Sequence, residues 1–286
     1  MATQEPSEKL RLGKVISNTV AFIGQNLIFL LVVGALFFVL PLILINLWAV
    51  WYWPKLAYQM GAYGGGPWSI VVNVGSYLAS RLLAIAANFL GLAVLSRATM
   101  DDIRGVRPSV GGCIQTVLVH SLPIVGIGFA LYLAVFFASL AVLRTGLLTP
   151  SEALAAFAVL MAPFIFWGLG ISVAIPVAIQ EGLGVRASMS RSRALTKGYR
   201  WSIFGLFLIV MVLAFMLRLA AWVFAAIFPP AFALVSVSVV IVNAIPNAVV
   251  STIIWTVTSV AITATYIELR RIKEGSSVED LAEIFS

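Results

Sequence analysis

Residues 27–48 read LIFLLVVGALFFVLPLILINLW, a stretch without a single formal charge. At 1.5 Å per residue a helix over it reaches about 33 Å, enough to cross roughly 30 Å of hydrocarbon. Backbone amides inside lipid must be satisfied within the segment, and the run is too long and unalternating for a barrel strand, so it reads as a helix.

Five more apolar runs follow: Ile70 to Leu95, Val117 to Leu143, Ala153 to Ile179, Ile203 to Phe228, and a last one from Ala231 to Ile267. The composition agrees: 62% of the 286 residues are hydrophobic and 10% are charged, with a mean hydropathy of +1.07. That is far more apolar surface than one aqueous core can bury, so an ordinary soluble enzyme and a disordered chain are both excluded. The expected class is all-α: a polytopic membrane helix bundle of about six transmembrane helices. Residues 1–26 form a polar and interfacial lead-in, 27–269 the bundle and 270–286 a tail. Residues 1–16 do not resemble a secretory signal, so the first helix is expected to stay.

Lys and Arg set the orientation. Lys9, Arg11, Lys14, Arg97, Arg104, Arg107, the cluster from Arg186 to Arg200, Arg270, Arg271 and Lys273 fall on one side of a six-span chain, and Lys55 and Arg144 on the other. This asymmetry places both termini in the cytoplasm. The net charge of +7 is thereby read as topology, and no nucleic-acid partner is expected.

The last run is too long for one span, and Pro246, flanked by Asn243 and Asn247, is expected to break it into a bend or half-helix before the true sixth span. Pro41, Pro163 and Pro176 should kink spans one and four, and Pro229 and Pro230 should end span five. Residues 49–68 are dense in Trp and Tyr, as an interfacial belt is, with Gly64 to Gly66 as a turn. Residues 9–26 mix apolar and polar positions at near-helical spacing, as a helix lying in the interface would.

Catalytic chemistry is searched by elimination. No Asp or Glu lies inside an expected span, and there is no metalloprotease, phosphate-loop or nucleophile-elbow motif. One cysteine, Cys113, and one histidine, His120, give neither a disulfide nor a His-based metal cage. His120 lacks an acidic orienting partner in its span and reads as an interfacial histidine. The expectation is a non-enzyme with no metal and no cofactor.

The spans do contain two arginines, Arg81 (SYLASRLLAIAANF) and Arg218 (AFMLRLAAWVF), each between the middle and the outer half of its helix. A central Arg costs about 2.5–3.5 kcal/mol even on the mildest insertion scale, so each needs an acceptor. Either they snorkel to an interface, or they line a crevice and hold an anionic group such as a lipid phosphate, with Asn73 and Asn88 as polar lining. Gly168, Gly170, Ala158 and Ala162 offer small faces in span four that suit a homo-oligomer or internal packing equally.

After span four the chain reads AIQEGLGVRASMSRSRALTKGYRW, residues 178–201. At 100° per residue Arg186, Arg193 and Lys197 share one helical face, and Gly198 is a stop. This basic stripe has three readings: pairing with Glu181 and the C-terminal acids Glu274, Glu279, Asp280 and Glu283, contact with anionic lipid, or a solvated loop helix. In the tail, Ser277 with Asp280 three positions on reads as an N-cap, opening a short amphipathic helix that would dock on the chain's own cytoplasmic face.

The run Gln180-Glu181-Gly182, Ala187, Arg191-Ser192, Leu195-Thr196-Lys197-Gly198 and Trp201 resembles the cytoplasmic loop of bacterial proteins grouped with the membrane domain of glycerophosphoryl diester phosphodiesterase. Residues 266–275 (YIELRRIKEG) are similar to that family's closing segment, and residues 104–109 (RGVRPS) to its loop after span two. The resemblance implies a six-helix bundle of the bacterial inner membrane concerned with phospholipid-derived molecules. It carries over no catalytic residue, because the family's phosphodiesterase activity belongs to a separate soluble barrel that this chain has no room to host. Glu181, Arg191, Lys197, Arg270 and Glu274 then look like a salt-bridged inner collar joining the helix ends. Membrane lipids, anionic phospholipid among them, and a membrane protein partner are the expected associates. Three functions stand: a lipid-binding scaffold or regulator, a transporter or flippase, and, last, a lipid-modifying enzyme.

Overall fold

The computed structural model describes residues 12–45, 47–48, 51–52, 67–144, 150–227 and 237–274, and all of the regular structure in them is helical. The elements are α1 (Leu12–Gln25), α2 (Leu27–Gly34, continued by a π turn, Ala35–Val39, to Ile45), α3 (Pro67–Ile103), α4 (Val110–Val119), α5 (Ser121–Arg144), α6 (Pro150–Gly170), α7 (Ala174–Glu181), α8 (Val185–Thr196), α9 (Arg200–Ile227) and α10 (Val237–Glu274). Among the described residues five helical stretches are long and apolar enough to cross a membrane: Leu27–Ile45, Leu78–Ile103, Met161–Glu181, Arg200–Val223 and Val249–Glu274. Counted as one span, the bent pair of α4 and the first part of α5, Val110–Val119 and Ser121–Leu133 at 75°, makes a sixth. The chain is an all-α polytopic bundle.

Prolines account for the interruptions, each by the same steric rule. A proline has no N–H, and its ring collides with the carbonyl four residues back. Pro123 is the third residue of α5, so the collision falls on Val119, where α4 stops and the chain turns at His120. Pro176 is the third residue of α7, and the turn at 171–173 that divides span four lies just before it. Pro41 cannot donate to Phe37, and the preceding turn widens so that the Leu40 N–H reaches the Ala35 carbonyl. Pro67 and Pro150 open α3 and α6, where a missing N–H costs nothing.

Pro246 behaves otherwise. The expected break is not there, because α10 is helical without interruption from Val237 to Glu274. Neighbouring groups in a bundle can satisfy the one carbonyl that a proline frees, so length and a proline together do not oblige a helix to end. The aromatic belt from residue 53 to 66, Lys55, and the tail from residue 275 with Ser277, Glu279, Asp280 and Glu283 lie outside the described residues.

Packing is concentrated at one end, the end that gathers the Lys and Arg clusters. Residues 91–96 of α3, 173–179 at the start of and along α7, and 259–266 of α10 are all buried. At the other end Leu82, Leu83, Met211, Phe215, Trp222, Val249 and Ile253 are exposed. In a membrane these apolar side chains meet lipid, so their exposure is the ordinary solvent-facing state of a bilayer protein rather than a defect. The main core joins Phe22 of α1, Val33 of α2, Leu95 of α3, Val117 of α4, Ile124 and Ile127 of α5, Ile179 of α7 and Val260 of α10. A second cluster joins Met100, Leu169, Val177, Leu195, Ile203, Tyr266 and Leu269. Inside α1, Val15, Thr19 and Phe22 recur at helical spacing and are buried, while Ile16 and Val20 are exposed, so one stripe of this helix packs against α9 and α10.

Small residues allow close helix approach. A Cβ at Gly91 would lie 2.7 Å from Phe37 Cβ, and one at Gly126 would lie 2.8 Å from Val185 Cγ2. Hydroxyls then join backbones across the core: Ser259 Oγ donates to the Leu92 carbonyl at 2.8 Å and lies 3.2 Å from Ser96 Oγ. Such contacts hold membrane helices together where no hydrophobic gradient exists between them.

Candidate functional site

Two polar regions are built on this frame, a collar at the basic end and a crevice toward the other. The collar begins at Gly182, which takes φ +63 to end α7 and turn the chain into α8. Glu181 thereby projects from the end of span four toward α8. Arg191 Nε lies 3.1 Å from Glu181 Oε2, and its Nη2 binds Glu274 at the end of α10. Arg270 Nε reaches the same Glu274 at 2.8 Å, and Tyr266 Oη donates to Glu181 at 3.3 Å. One guanidinium thus ties the ends of spans four and six through α8.

The same helix is pinned by neutral groups. Ser192 and Thr196, one turn apart and wholly buried, both donate to the Gly170 carbonyl at the end of α6, at 3.0 and 3.1 Å. Gly198, at φ +96, turns the chain from α8 into α9. Lys273 closes the ring by donating to the carbonyls of Ala194 and Lys197. These are the otherwise unsatisfied acceptors of the α8 C-terminus, where a cation is also favoured by the helix dipole.

The basic stripe is corrected in two respects. Lys197 lies past the helix, with an extended ψ of 121, so only Arg186 and Arg193 share that face. Neither pairs with Glu181 or Glu274; Arg191, about 140° around the helix from Arg186, faces the bundle and makes both bonds. Periodicity groups residues on a face but does not say which face the bundle covers.

The crevice is a cavity of about 110 Å³ among α2, α3 and α10. Phe37 and Phe38 of the π turn, Pro41, Leu42 and Ile45 form one wall, Ala84 and Asn88 the second, Ser251 and Trp255 the third. Trp255 is held between the rings of Phe38, stacked at 6.3 Å, and Phe89, edge-on at 6.1 Å. Asn88 and Ser251 bring an amide and a hydroxyl into this otherwise apolar space.

Arg81 stands three residues before Ala84 and seven before Asn88, on the face that lines the crevice. It is sixteen residues from Arg97, or about 24 Å along α3, toward the end of the helix away from the basic cluster. Arg218 is eighteen residues from Arg200, about 27 Å along α9, at the same level. It is exposed on a surface with Phe215, Leu219 and Trp222 and is not among the residues that line the crevice. Neither arginine lines the crevice: Arg81 is exposed one turn before Ala84 on the same side of α3, and Arg218 is exposed on α9. The side chain of Asn73 is outside the described residues.

His120 sits at the elbow between α4 and α5, its Nδ1 2.9 Å from the Thr116 carbonyl and its Nε2 beside Gly182. Gly168 and Gly170 diverge in role: a side chain at Gly168 would meet nothing, whereas Gly170 is covered by Arg193 and Arg200. Sequence reasoning missed the acids of the α3 terminus. Asp101 pairs with Arg97 at 3.0 Å, and Asp102 accepts from Asn26 Nδ2 at 3.0 Å, locking the α1–α2 corner to α3. The i, i+4 spacing of Arg97 and Asp101 was the available signal for the first, and the second had none. No protein family, curated protein or solved structure matches the chain.

Proposed function

We propose that this is a non-enzymatic multi-pass protein of the bacterial cytoplasmic membrane that binds an anionic lipid and scaffolds or regulates a membrane partner. The observation that carries the reading is the crevice: Asn88 and Ser251 face an apolar cavity, with Arg81 two turns beyond Asn88 on the same face of α3. A cavity of about 110 Å³ is too small to enclose a phospholipid and suits a segment of one chain or glycerol backbone, with the headgroup outside at Arg81. Guanidinium and phosphate match bidentately, which gives such a site its charge preference. The same proposal takes up the resemblance to the membrane domain of glycerophosphoryl diester phosphodiesterase, whose loop motif supplies Glu181, Arg191, Ser192, Thr196 and Gly198. Their contacts favour a structural rather than a catalytic use of that motif.

A second reading, a lipid transporter or flippase, is favoured by one observation: three spans are interrupted, at the π turn 35–39, at the elbow around His120 and at the turn 171–173. Interrupted helices are where transporters build sites and move. The test is native mass spectrometry of the protein purified in mild detergent, comparing wild type with Arg81→Ala, Asn88→Leu and Arg218→Ala. Loss of a specific anionic lipid with the first two, but not with Arg218→Ala, is expected. An unchanged lipid profile in Arg81→Ala and Asn88→Leu removes the crevice site. Headgroup transfer between leaflets of reconstituted vesicles would select the transporter reading.

A further inference from the structure

The collar engages the acids of the basic end on one side only. Among the described residues Glu181, Glu268 and Glu274 are held by Arg191, Arg270 and Arg271. On the flank where α6, α8 and α9 meet, no described carboxylate lies within ion-pairing distance of Arg193 or Arg200. Lys197 and Lys273 add positive charge at the end of α8, where Lys273 donates to the Ala194 and Lys197 carbonyls. Among the described residues the local charge is strongly positive and unbalanced.

The two arginines converge. A Cβ at Gly170 would meet Arg193 Cγ at 3.5 Å and Arg200 Nη2 at 3.6 Å, so the two side chains come within about 7 Å of each other over that glycine. Arg200 lays its guanidinium on the Phe166 ring at 4.6 Å, and Arg193 is 6.0 Å from the centroid of Trp167. A stacked guanidinium keeps its N–H edges available in the ring's outward direction. Arg200 Nε is itself buried and has no hydrogen-bond partner in the structure, so no protein acceptor holds the guanidinium by that edge. A guanidinium with no described carboxylate beside it calls for an anionic acceptor at its open edge.

The surroundings specify the kind of anion. Ile165 and Phe166 are exposed on α6, as are Trp201 and Phe204 on α9, and the last two rings meet edge-on at 6.1 Å. The cationic pair therefore sits at the top of an apolar lateral surface at the end of two spans. A soluble anion would have no use for that surface, whereas a phospholipid uses both parts. We propose that Arg193 and Arg200 clamp the phosphate of an anionic phospholipid from the leaflet at the basic end, with its chains along Phe166 and Phe204. This site is distinct from the Arg81 crevice, which lies at the opposite end, and does not rest on it.

The experiment uses the full chain, delipidated in mild detergent and titrated with dioleoyl phosphatidylglycerol or dioleoyl phosphatidylcholine, with bound lipid counted by native mass spectrometry. Wild type is expected to retain phosphatidylglycerol preferentially, and Arg193→Gln with Arg200→Gln to lower that retention about tenfold, while leaving phosphatidylcholine unchanged. Arg200→Lys, which keeps the charge and loses the planar fork, should fall between them. Should the double variant not fold, Arg193→Gln alone, at an exposed side chain, should still weaken retention about threefold. Unchanged phosphatidylglycerol binding in these variants overturns the proposal. So does displacement of the lipid by millimolar inorganic phosphate, which would mark a site for a soluble anion. Loss of phosphatidylglycerol in Arg81→Ala with none in the Arg193 and Arg200 variants would leave the crevice reading standing and sink this one.

Discussion

Arg191 is the test of whether the collar holds the bundle closed. Its side chain is 35% exposed, Glu181 19% and Glu274 31%, so the bonds are neither bare surface pairs nor fully desolvated ones. A hydrogen bond to a charged group contributes about 1.5–3 kcal/mol when shielded, whereas an exposed ion pair contributes about 0.2–1. The Glu181 contact, the more buried, belongs between those ranges at about 1–1.5 kcal/mol. The Glu274 contact adds about 0.5, because Arg270 stays on Glu274 at 2.8 Å when Arg191 is removed. Arg191→Ala should therefore cost about 2 kcal/mol, and on the scaling for domains of 150–250 residues lower the melting temperature by roughly 4–8 °C. Arg191→Lys, a single ammonium without the fork that reaches two carboxylates, should recover about half of this. The control is Arg186→Ala on the exposed face of α8, expected within about 0.5 kcal/mol of wild type. The assay is thermal unfolding in detergent at low and moderate salt, with a double-mutant cycle on Arg191 and Glu181. Equal melting of Arg191→Ala and Arg186→Ala, or a coupling energy near zero in the cycle, would refute the reasoning.

Gly91→Ala places a methyl group 2.7 Å from Phe37 Cβ and 2.9 Å from Phe38 Cζ, at the root of the crevice wall. It should cost about 1–3 kcal/mol through overpacking, visible as a lower melting temperature together with altered Trp255 fluorescence. Thr196→Val with Ser192→Ala removes both hydroxyls from the Gly170 carbonyl, and the orphaned acceptor should cost about 1–3 kcal/mol, against less than that for either change alone; a nonadditive cycle in unfolding experiments is the check. Ser259→Ala, which deletes the bond to the Leu92 carbonyl between α10 and α3, should cost about 0.6 kcal/mol, the average for hydroxyls between membrane helices. A loss above 2 kcal/mol there would mean that Ser259 does more than join two backbones.

The crevice and the collar differ in what they ask of the rest of the chain. The collar is a set of reciprocal bonds among helix ends, and nothing in it is left over for a ligand. The crevice and the Arg193–Arg200 flank have the opposite character, with polar groups in or beside apolar surface and, among the described residues, no carboxylate on the Arg193–Arg200 pair. A lipid is the one component of a bilayer that supplies both an anionic head and apolar chains. Binding at either place would therefore be sensitive to headgroup charge, and at the flank also to ionic strength, since Arg193 is exposed.

Hydropathy, charge placement and proline positions belong to the sequence alone. Whether a stretch spans lipid depends on its own length and polarity, which is why the run beginning at Leu27 and its five successors could be read without a structure. The proline rule is equally local, and it accounts for the π turn before Pro41, the turn before Pro176 and, at Pro123, the elbow at His120. What the sequence could not assign was partnership. Arg191 is ten residues from Glu181 and eighty-three from Glu274, and it meets both only because Leu195, Tyr266 and Leu269 pack α8 against α10. Arg193 and Arg200 meet over Gly170 for a similar reason, since α8 is hung on the end of α6 by two buried hydroxyls. Pro246 marks the limit from the other side: a local rule predicted a break, and α10 continues through it. Local chemistry sets which segments become helices and where they bend, but the angle at which helix ends are held is a property of the packed core, and every contact in the collar, the crevice and the arginine flank depends on that angle.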